Sequence, residues 1–358
     1  MRIKKALFLG TLCTAVSGMS LFAQAGVSYA KSAEKTTEAA SSEEAESEEE
    51  TSEEVTYPIT IEHAFGETVI ESKPERIATV GWGNQDTPLA LGIAPVGVSA
   101  ANYGLVTDHK LHLWTDEAFA DLGVEEPVVF DDVDGLDFEQ ISDCNPDVIL
   151  AAYSGMTQED YDTLSQIAPV IPYKENPWQT SWREQTIENA EGMGMKPEGE
   201  KKVKEVEDLI AEKLEEYPEL EGIPTAFCWI SADDFSTFYV YLPTDPRAAY
   251  LLDLGFTLPE SVQKLAGESN DFSITVSREN ADQLDDIEMM VVYGDENLVE
   301  TLQEDKLMSQ IPAIKNGAVV VLDSTSALAA SSTPSILSIP YEIDEYLEMF
   351  AKAAENIK

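Results

Sequence analysis

The sequence predicts an α/β protein of two similar lobes, each with a central, mostly parallel sheet, joined by a single long inter-lobe helix. Three observations carry this. Short apolar strands, loops and short helices alternate from Ile77 onward, the pattern of parallel sheets covered by helices. Residues 137–153 align without a gap on 277–293, at a constant separation of 140 residues. Each copy reads as a helix cap, a glutamate two residues on, a short helix and an apolar strand ending in tyrosine, so one domain type occurs twice. Between the copies lies 197–217, with Val203, Val206, Ile210, Leu214 and Tyr217 at three- and four-residue spacing.

Taken in order, Arg2, Lys4 and Lys5 precede the nearly uncharged apolar stretch 6–22, and small residues follow at Ala23, Ala25, Ser28 and Ala30. Residues 1–30 read as a secretory signal peptide, and the chain as exported to the periplasm or the outer face of the membrane. Leu12 stands before Cys13, where a lipid-attachment motif needs a small residue. Residues 31–55 hold ten Glu and two Lys among Ser, Thr and Ala. Such a segment cannot bury enough apolar surface to order itself and reads as a disordered acidic tether.

The first lobe spans 56–196. Strands at 57–61 and 67–70 flank His63, Ala64, Phe65 and Gly66 as a β-hairpin, with His63 in the turn. Further strands fall at 77–80, 95–98, 128–130, 148–152 and 169–171, and a helix at 85–91 stops at Gly92. The joining helix occupies 197–221, opened by Pro197 and ended by Pro218. About twenty residues at ~1.5 Å rise reach roughly 30 Å, enough to bridge two lobes. The second lobe spans 222–358.

Charge narrows the function. The formal net charge is −46, and beyond residue 55 there remain 58 acids against 17 bases. A nucleic-acid binder needs clustered Lys and Arg against phosphates, so nucleic acid is excluded as a partner. A polybasic membrane-surface protein is disfavoured for the same reason. Three cysteines cannot make a disulfide scaffold or a Cys-rich metal domain. Cys144 and Cys228, in different lobes, read as buried free thiols.

No phosphate-binding loop, nucleophile elbow or His-Glu-x-x-His is present. The histidines are His63, His109 and His112, and the last two read as surface positions. The second lobe offers no imidazole, so a transition-metal site shared between lobes cannot draw on His from both. No catalytic residue, direct metal ligand or cofactor is expected. What stands out is aromatic and polar decoration after the strands, where ligands of parallel sheets bind. The first lobe supplies Trp82, Asn84, Tyr103, Tyr153, Trp178 and Arg183; the second supplies Trp229, Tyr241, Arg247 and Phe272. Two lobes facing one aromatic cleft describe a binding protein without a reactive group.

With these residues in view, the chain resembles the substrate-binding proteins of ABC importers for iron–siderophore complexes, relatives of the vitamin B12-binding protein. The likeness runs from Tyr57 nearly to the end. It includes Lys73-Pro-Glu-Arg76, Leu89-Ala-Leu-Gly-Ile-Ala-Pro-Val-Gly97 and Asn145-Pro-Asp-Val-Ile-Leu150. It resumes in Tyr239-Val-Tyr241, Asp245-Pro-Arg247, Leu254-Gly-Phe256 and Val276-Ser-Arg-Glu279. The resemblance implies capture of a ferric chelate whose iron is held by the chelate, delivery to an ABC importer permease, and action as a monomer. It further implies that Glu139 and Glu279, one per lobe, dock on permease arginines. The bland alternative is that each acid simply favours a helix N-terminus.

Two departures bear on the ligand. Hydroxamate-binding relatives carry an arginine where Gly104 stands or beside it, and a tryptophan is replaced around Asp271 and Phe272. Lys174, Arg183 and Arg247 are the only cations placed to meet an anionic ligand. A ferric tris-catecholate carries about three negative charges, each worth up to ~4 kcal/mol against a cation at 4 Å. An uncharged or cationic chelate, such as a ferric hydroxamate, is therefore expected. Haem and a cobalamin are the alternative ligands, and a secreted hydrolase with acidic catalytic residues is the alternative from another class.

Overall fold

Among the described residues, regular structure starts at β1 (Ile59–His63) and β2 (Gly66–Ile70), an antiparallel hairpin beside the edge of the first sheet. The computed structural model describes residues 55–357 apart from 133–134, 232–233 and 296, so the leader and all but the last residue of the tether lie outside the described residues. His63 closes β1 rather than sitting in the turn, and it is buried, with Nε2 2.9 Å from Thr68 Oγ1.

The first large sheet follows the predicted alternation. In chain order come β3 (Ile77–Thr79), α1 (Asp86–Ala90), β4 (Gly97–Ser99), α2 (Leu113–Asp121), β5 (Val129–Phe130), α3 (Phe138–Asp143), β6 (Val148–Ala151), α4 (Gln158–Leu164) and β7 (Val170–Pro172). Spatial order is β5-β4-β3-β6-β7, parallel throughout. All four residues of β6 are buried, as a strand covered on both faces requires.

Two helices follow, α5 (Trp182–Gly192) and the 19-residue α6 (Lys196–Leu214), which has Pro in its first turn. They approach so closely that a Cβ on Gly199 would lie 2.5 Å from Ala190 Cβ. Val203, Val206 and Ile210 of α6 and Trp182 of α5 are buried in one cluster with Phe227 and Phe350 of the second half.

The second half runs β8 (Thr225–Trp229), β9 (Thr237–Tyr241), α7 (Pro246–Asp253), α8 (Glu260–Ala266), β10 (Ser273–Ser277), β11 (Met289–Tyr293), α9 (Leu298–Glu304), α10 (Pro312–Asn316), β12 (Val319–Leu322), α11 (Ala327–Ser331) and α12 (Ser338–Ala354). Its order is β10-β9-β8-β11-β12. β8, β11 and β12 are parallel, while β9 runs against both neighbours. The short link between β8 and β9 leaves no room for a helical crossover, so that pair must be antiparallel.

The repeat survives in space. β6 and β11 hold the fourth position of their sheets. Asp137 caps α3, accepting from Gln140 N at 3.0 Å, and Ser277 caps a 3₁₀ helix over Arg278–Gln283, accepting from Glu279 N at 3.4 Å. Cys144 and Cys228 are free and buried; burial pushes the Cys228 thiol well up and leaves it inert.

Candidate functional site

A cavity of about 400 Å³ opens between the two sheets. Trp82, Tyr103, Tyr153, Trp178, Trp229, Tyr241, Arg247 and Phe272 line it, so eight sequence-predicted residues converge. Asp245, Tyr293 and Thr333 complete the walls.

The first wall is made of loops. Gly81, at φ +84°, turns the chain directly after β3; a Cβ there would lie 2.7 Å from Tyr153 O. Trp82 N then donates to that same carbonyl at 3.1 Å. Asn84 is fully buried and locks the two loops together. Its Nδ2 donates to Val80 O (2.8 Å) and Tyr153 O (2.9 Å). Its Oδ1 accepts from Tyr153 N (3.1 Å), Asn189 Nδ2 (3.0 Å) and Gln185 Nε2 (3.2 Å). Asn84 thus stands behind the wall and positions Trp82 and Tyr153 without touching the cavity.

Behind Trp82 lies His112, expected on the surface and found 3% exposed. Its ring sits between Trp82 (centroids 5.0 Å) and Trp114 (4.7 Å). Burial lowers its pKa to about 4, so it is neutral at pH 7 and Nε2–H donates to Tyr103 O at 3.1 Å. Trp114 Nε1 donates to Asp86 at 2.9 Å, and Thr115 Oγ1 and Ser335 Oγ donate to the same carboxylate. Burial raises Asp86 to about 6 even against those donors. Ser335 precedes α12, so this contact ties the two halves behind the cleft.

Tyr153 and Trp178 meet edge to face at 5.3 Å. Trp178 adopts φ +62°, a left-handed conformation that costs a bulky residue about 1 kcal/mol or more. A Cβ at position 155 would fall 2.4 Å from its Nε1, so Gly155 is required beneath the indole. Tyr103 meets Tyr293 edge to face at 5.5 Å.

The second wall is mostly strand. Side chains of β8, β9 and β11 alternate between faces, and one face carries Phe227, Trp229, Tyr241 and Tyr293. Phe227 packs on Tyr241 (5.7 Å) and Tyr293 (5.3 Å), anchoring the wall in the core. Tyr293 Oη lies 2.8 Å from Ser332 Oγ. Trp229 and Phe272 are 42% and 44% exposed, poised at the rim.

Among the described residues, one cation faces the cavity. Arg247 stacks 3.9 Å over the Tyr241 ring and grips Asp245 with Nε (2.8 Å) and Nη2 (2.6 Å). Asp245 is buried and also caps α7, accepting from Arg247 N at 2.9 Å. The pair neutralises itself, leaving no net charge on the described walls.

Two expected cations lie elsewhere. Arg183 is not a cleft residue: it stacks on Trp182 and binds Glu207 (2.6 Å) and Asp253 (2.7 Å), joining α5, α6 and α7. Lys174 lines a separate polar depression with Glu184 and Glu188. Gly104 also has a steric reason. At φ +77°, its Cβ would lie 2.6 Å from Ala330 Cβ, so no arginine fits there. Glu139 and Glu279 are exposed and outside the cavity. Tyr293 is not among the residues expected from the sequence, although it is the counterpart of Tyr153 in the repeat. Asp245 was visible only as the neighbour of Arg247, and nothing in the sequence marks Thr333.

Comparison with known proteins agrees with this fold. A crystal structure of PiaA from Streptococcus pneumoniae TIGR4 in complex with ferrichrome is 47% identical, covering 84% of this chain and all of that one, with a TM-score of 0.81. A second structure of that protein, described as an iron uptake ABC transporter substrate-binding protein, is 45% identical over 83% of this chain and all of its own, with a TM-score of 0.77. The petrobactin-binding protein YclQ of Bacillus subtilis is 25% identical, covering 81% of this chain and 88% of its own. No helix among the described residues is long and apolar enough to cross a membrane. A family model for periplasmic binding proteins matches residues 77–325, well over half the sequence, and the chain belongs to that family of extracytoplasmic substrate-binding proteins.

Proposed function

We propose that the chain captures an uncharged or cationic ferric hydroxamate in the aromatic cleft and delivers it to the permease of an iron ABC importer. The observation that carries this reading is the cavity's charge: the one cation among its described lining residues, Arg247, is already neutralised by Asp245. An anionic tris-catecholate would meet no free positive charge on the described walls. Rings of Trp, Tyr and Phe instead offer apolar faces to a neutral chelate and π-faces to a cationic one. The similarity to the ferrichrome-bound PiaA supports the same class of ligand.

In this reading residues 56–196 and 222–358 act as two lobes, with the segment 197–221, which holds most of α6, joining them. The protein works as a monomer, since one chain supplies both walls. Residues 1–30 export it, the acidic tether follows, and the folded part works in the periplasm or on the outer face of the membrane. Glu139 and Glu279 face the permease.

Competition between a ferric hydroxamate and a ferric catecholate, followed by tryptophan fluorescence at low and physiological salt, tests the assignment. The hydroxamate should win at both. A catecholate favoured tenfold at both salts would overturn the ligand class. Haem or cobalamin binding in place of every ferric siderophore would overturn the siderophore assignment.

A further inference from the structure

A second cavity, about 270 Å³, adjoins the aromatic cleft, and Trp82 and Trp178 line both. It lies beyond the carboxyl ends of β3, β4, β5 and β6. The chain leaves β3 toward β4 on one side and later returns to place β6 on the other. A parallel sheet opens a crevice at such a reversal, and ligands enter there. The walls differ from those of the main cleft. They carry two carboxylates, Asp132 and Asp160, and among the described lining residues there is no Lys, Arg or His.

Both acids are held in place. Ser99 Oγ donates to Asp132 Oδ2 at 2.5 Å and accepts from Gly81 N at 3.1 Å, fixing the carboxylate to the ends of β3 and β4. Asp160 Oδ2 accepts from Thr157 N (2.9 Å) and Thr157 Oγ1 (2.7 Å) in the capping box of α4. Burial raises the Asp132 pKa, and the neighbouring Asp131 carboxylate adds to the rise. The two indoles shared with the cleft are of the ring type that attracts ammonium groups most strongly.

We infer that this chamber is a second subsite, which takes the ammonium-bearing arm of a ferric hydroxamate whose chelated head fills the aromatic cleft. The inference rests on the hydroxamate reading above and adds a preference within that class. An ammonium entering between Asp132 and Asp160 replaces its lost hydration with two carboxylates and two indole faces. A neutral or anionic arm gains neither.

Three probes separate the possibilities: ferrioxamine B, a linear ferric hydroxamate with a free terminal amine; its N-acetyl derivative, which lacks that charge; and cyclic, uncharged ferrichrome. Titrated into the purified protein and followed by tryptophan fluorescence, ferrioxamine B should bind about tenfold tighter than its acetylated form at low salt, with the gap narrowing as salt rises. In D132N/D160N the gap should shrink to within about twofold while the acetylated form binds as before. Equal binding of the two linear chelates to the wild type, a gap that persists in the variant, or binding of ferrichrome alone would overturn the subsite and leave the hydroxamate reading standing. Failure of all three chelates would sink both. Should the double variant not fold, the wild-type gap and its salt dependence still decide the question.

Discussion

The wall formed by the first half holds Trp82, Tyr103, Tyr153 and Trp178 on loops beyond strand ends, whereas the second half presents Trp229, Tyr241 and Tyr293 from the strands themselves. The first sheet is parallel throughout, and its carboxyl ends open into a chamber behind the cleft. In the second, β9 runs antiparallel beside β8, and its alternate side chains continue the aromatic face of the core. A repeated domain has therefore built two unlike walls. The loop wall depends on buried polar bonds to hold its rings in place. The strand wall inherits its order from the sheet and needs one ion pair at its edge.

If that contrast is right, the largest loss follows from Asn84→Ala. The substitution strips five hydrogen bonds from fully buried partners. An unsatisfied buried group costs about 1–3 kcal/mol, and partial re-pairing leaves roughly 3–5 kcal/mol in all. For a protein of this size, that lowers the melting temperature by roughly 5–8 °C. Ligand affinity should fall with it, since Trp82 and Tyr153 lose their common anchor. A shift below about 3 °C with unchanged affinity would show that the loop wall is held by something other than this network.

The strand wall should break less severely. Arg247→Met leaves Asp245, 1% exposed, without its counter-charge. Breaking a fully buried pair costs about 3–5 kcal/mol, and the 20% exposure of the Arg247 side chain reduces this to roughly 2–3. Adding Asp245→Asn should restore more than half of the loss, measured by urea unfolding. A double variant no more stable than Arg247→Met would show that Arg247 acts through its packing on Tyr241 rather than through the pair.

The same contrast explains what the sequence could reveal. Strand-borne aromatics declare themselves by period-two alternation, and the repeat at a 140-residue separation marks one strand of each sheet, β6 and β11. The repeat also held an unused clue. Tyr153, two residues past β6, and Tyr293, the last residue of β11, are matched positions of the repeat, and both line the cavity. Arg183 was misjudged because Glu207 and Asp253, 24 and 70 residues away in the chain, claim its guanidinium. Nothing local in the sequence announces such pairing. His112 is buried rather than on the surface because Trp82, thirty residues earlier in the chain, closes over it opposite its near neighbour Trp114.

The smallest effect on the purified protein belongs to Glu139 and Glu279, where the two halves are most alike. Each is exposed, in the first turn of its short helix, and outside both cavities. Exchanging either for Lys reverses a favourable contact with the helix N-terminus, worth about 0.3–1 kcal/mol at an exposed site. Melting temperature and chelate affinity should therefore barely move. Uptake should respond differently if the acids meet arginines on the permease, since a lysine there replaces attraction with repulsion. Each single variant should impair uptake, and Glu139→Lys with Glu279→Lys should abolish it while the purified double variant binds the chelate as the wild type does. Loss of binding in that purified variant would place the acids in the ligand site. Full uptake by the double variant would confine them to capping two helices, and the last functional likeness between the unlike halves would go.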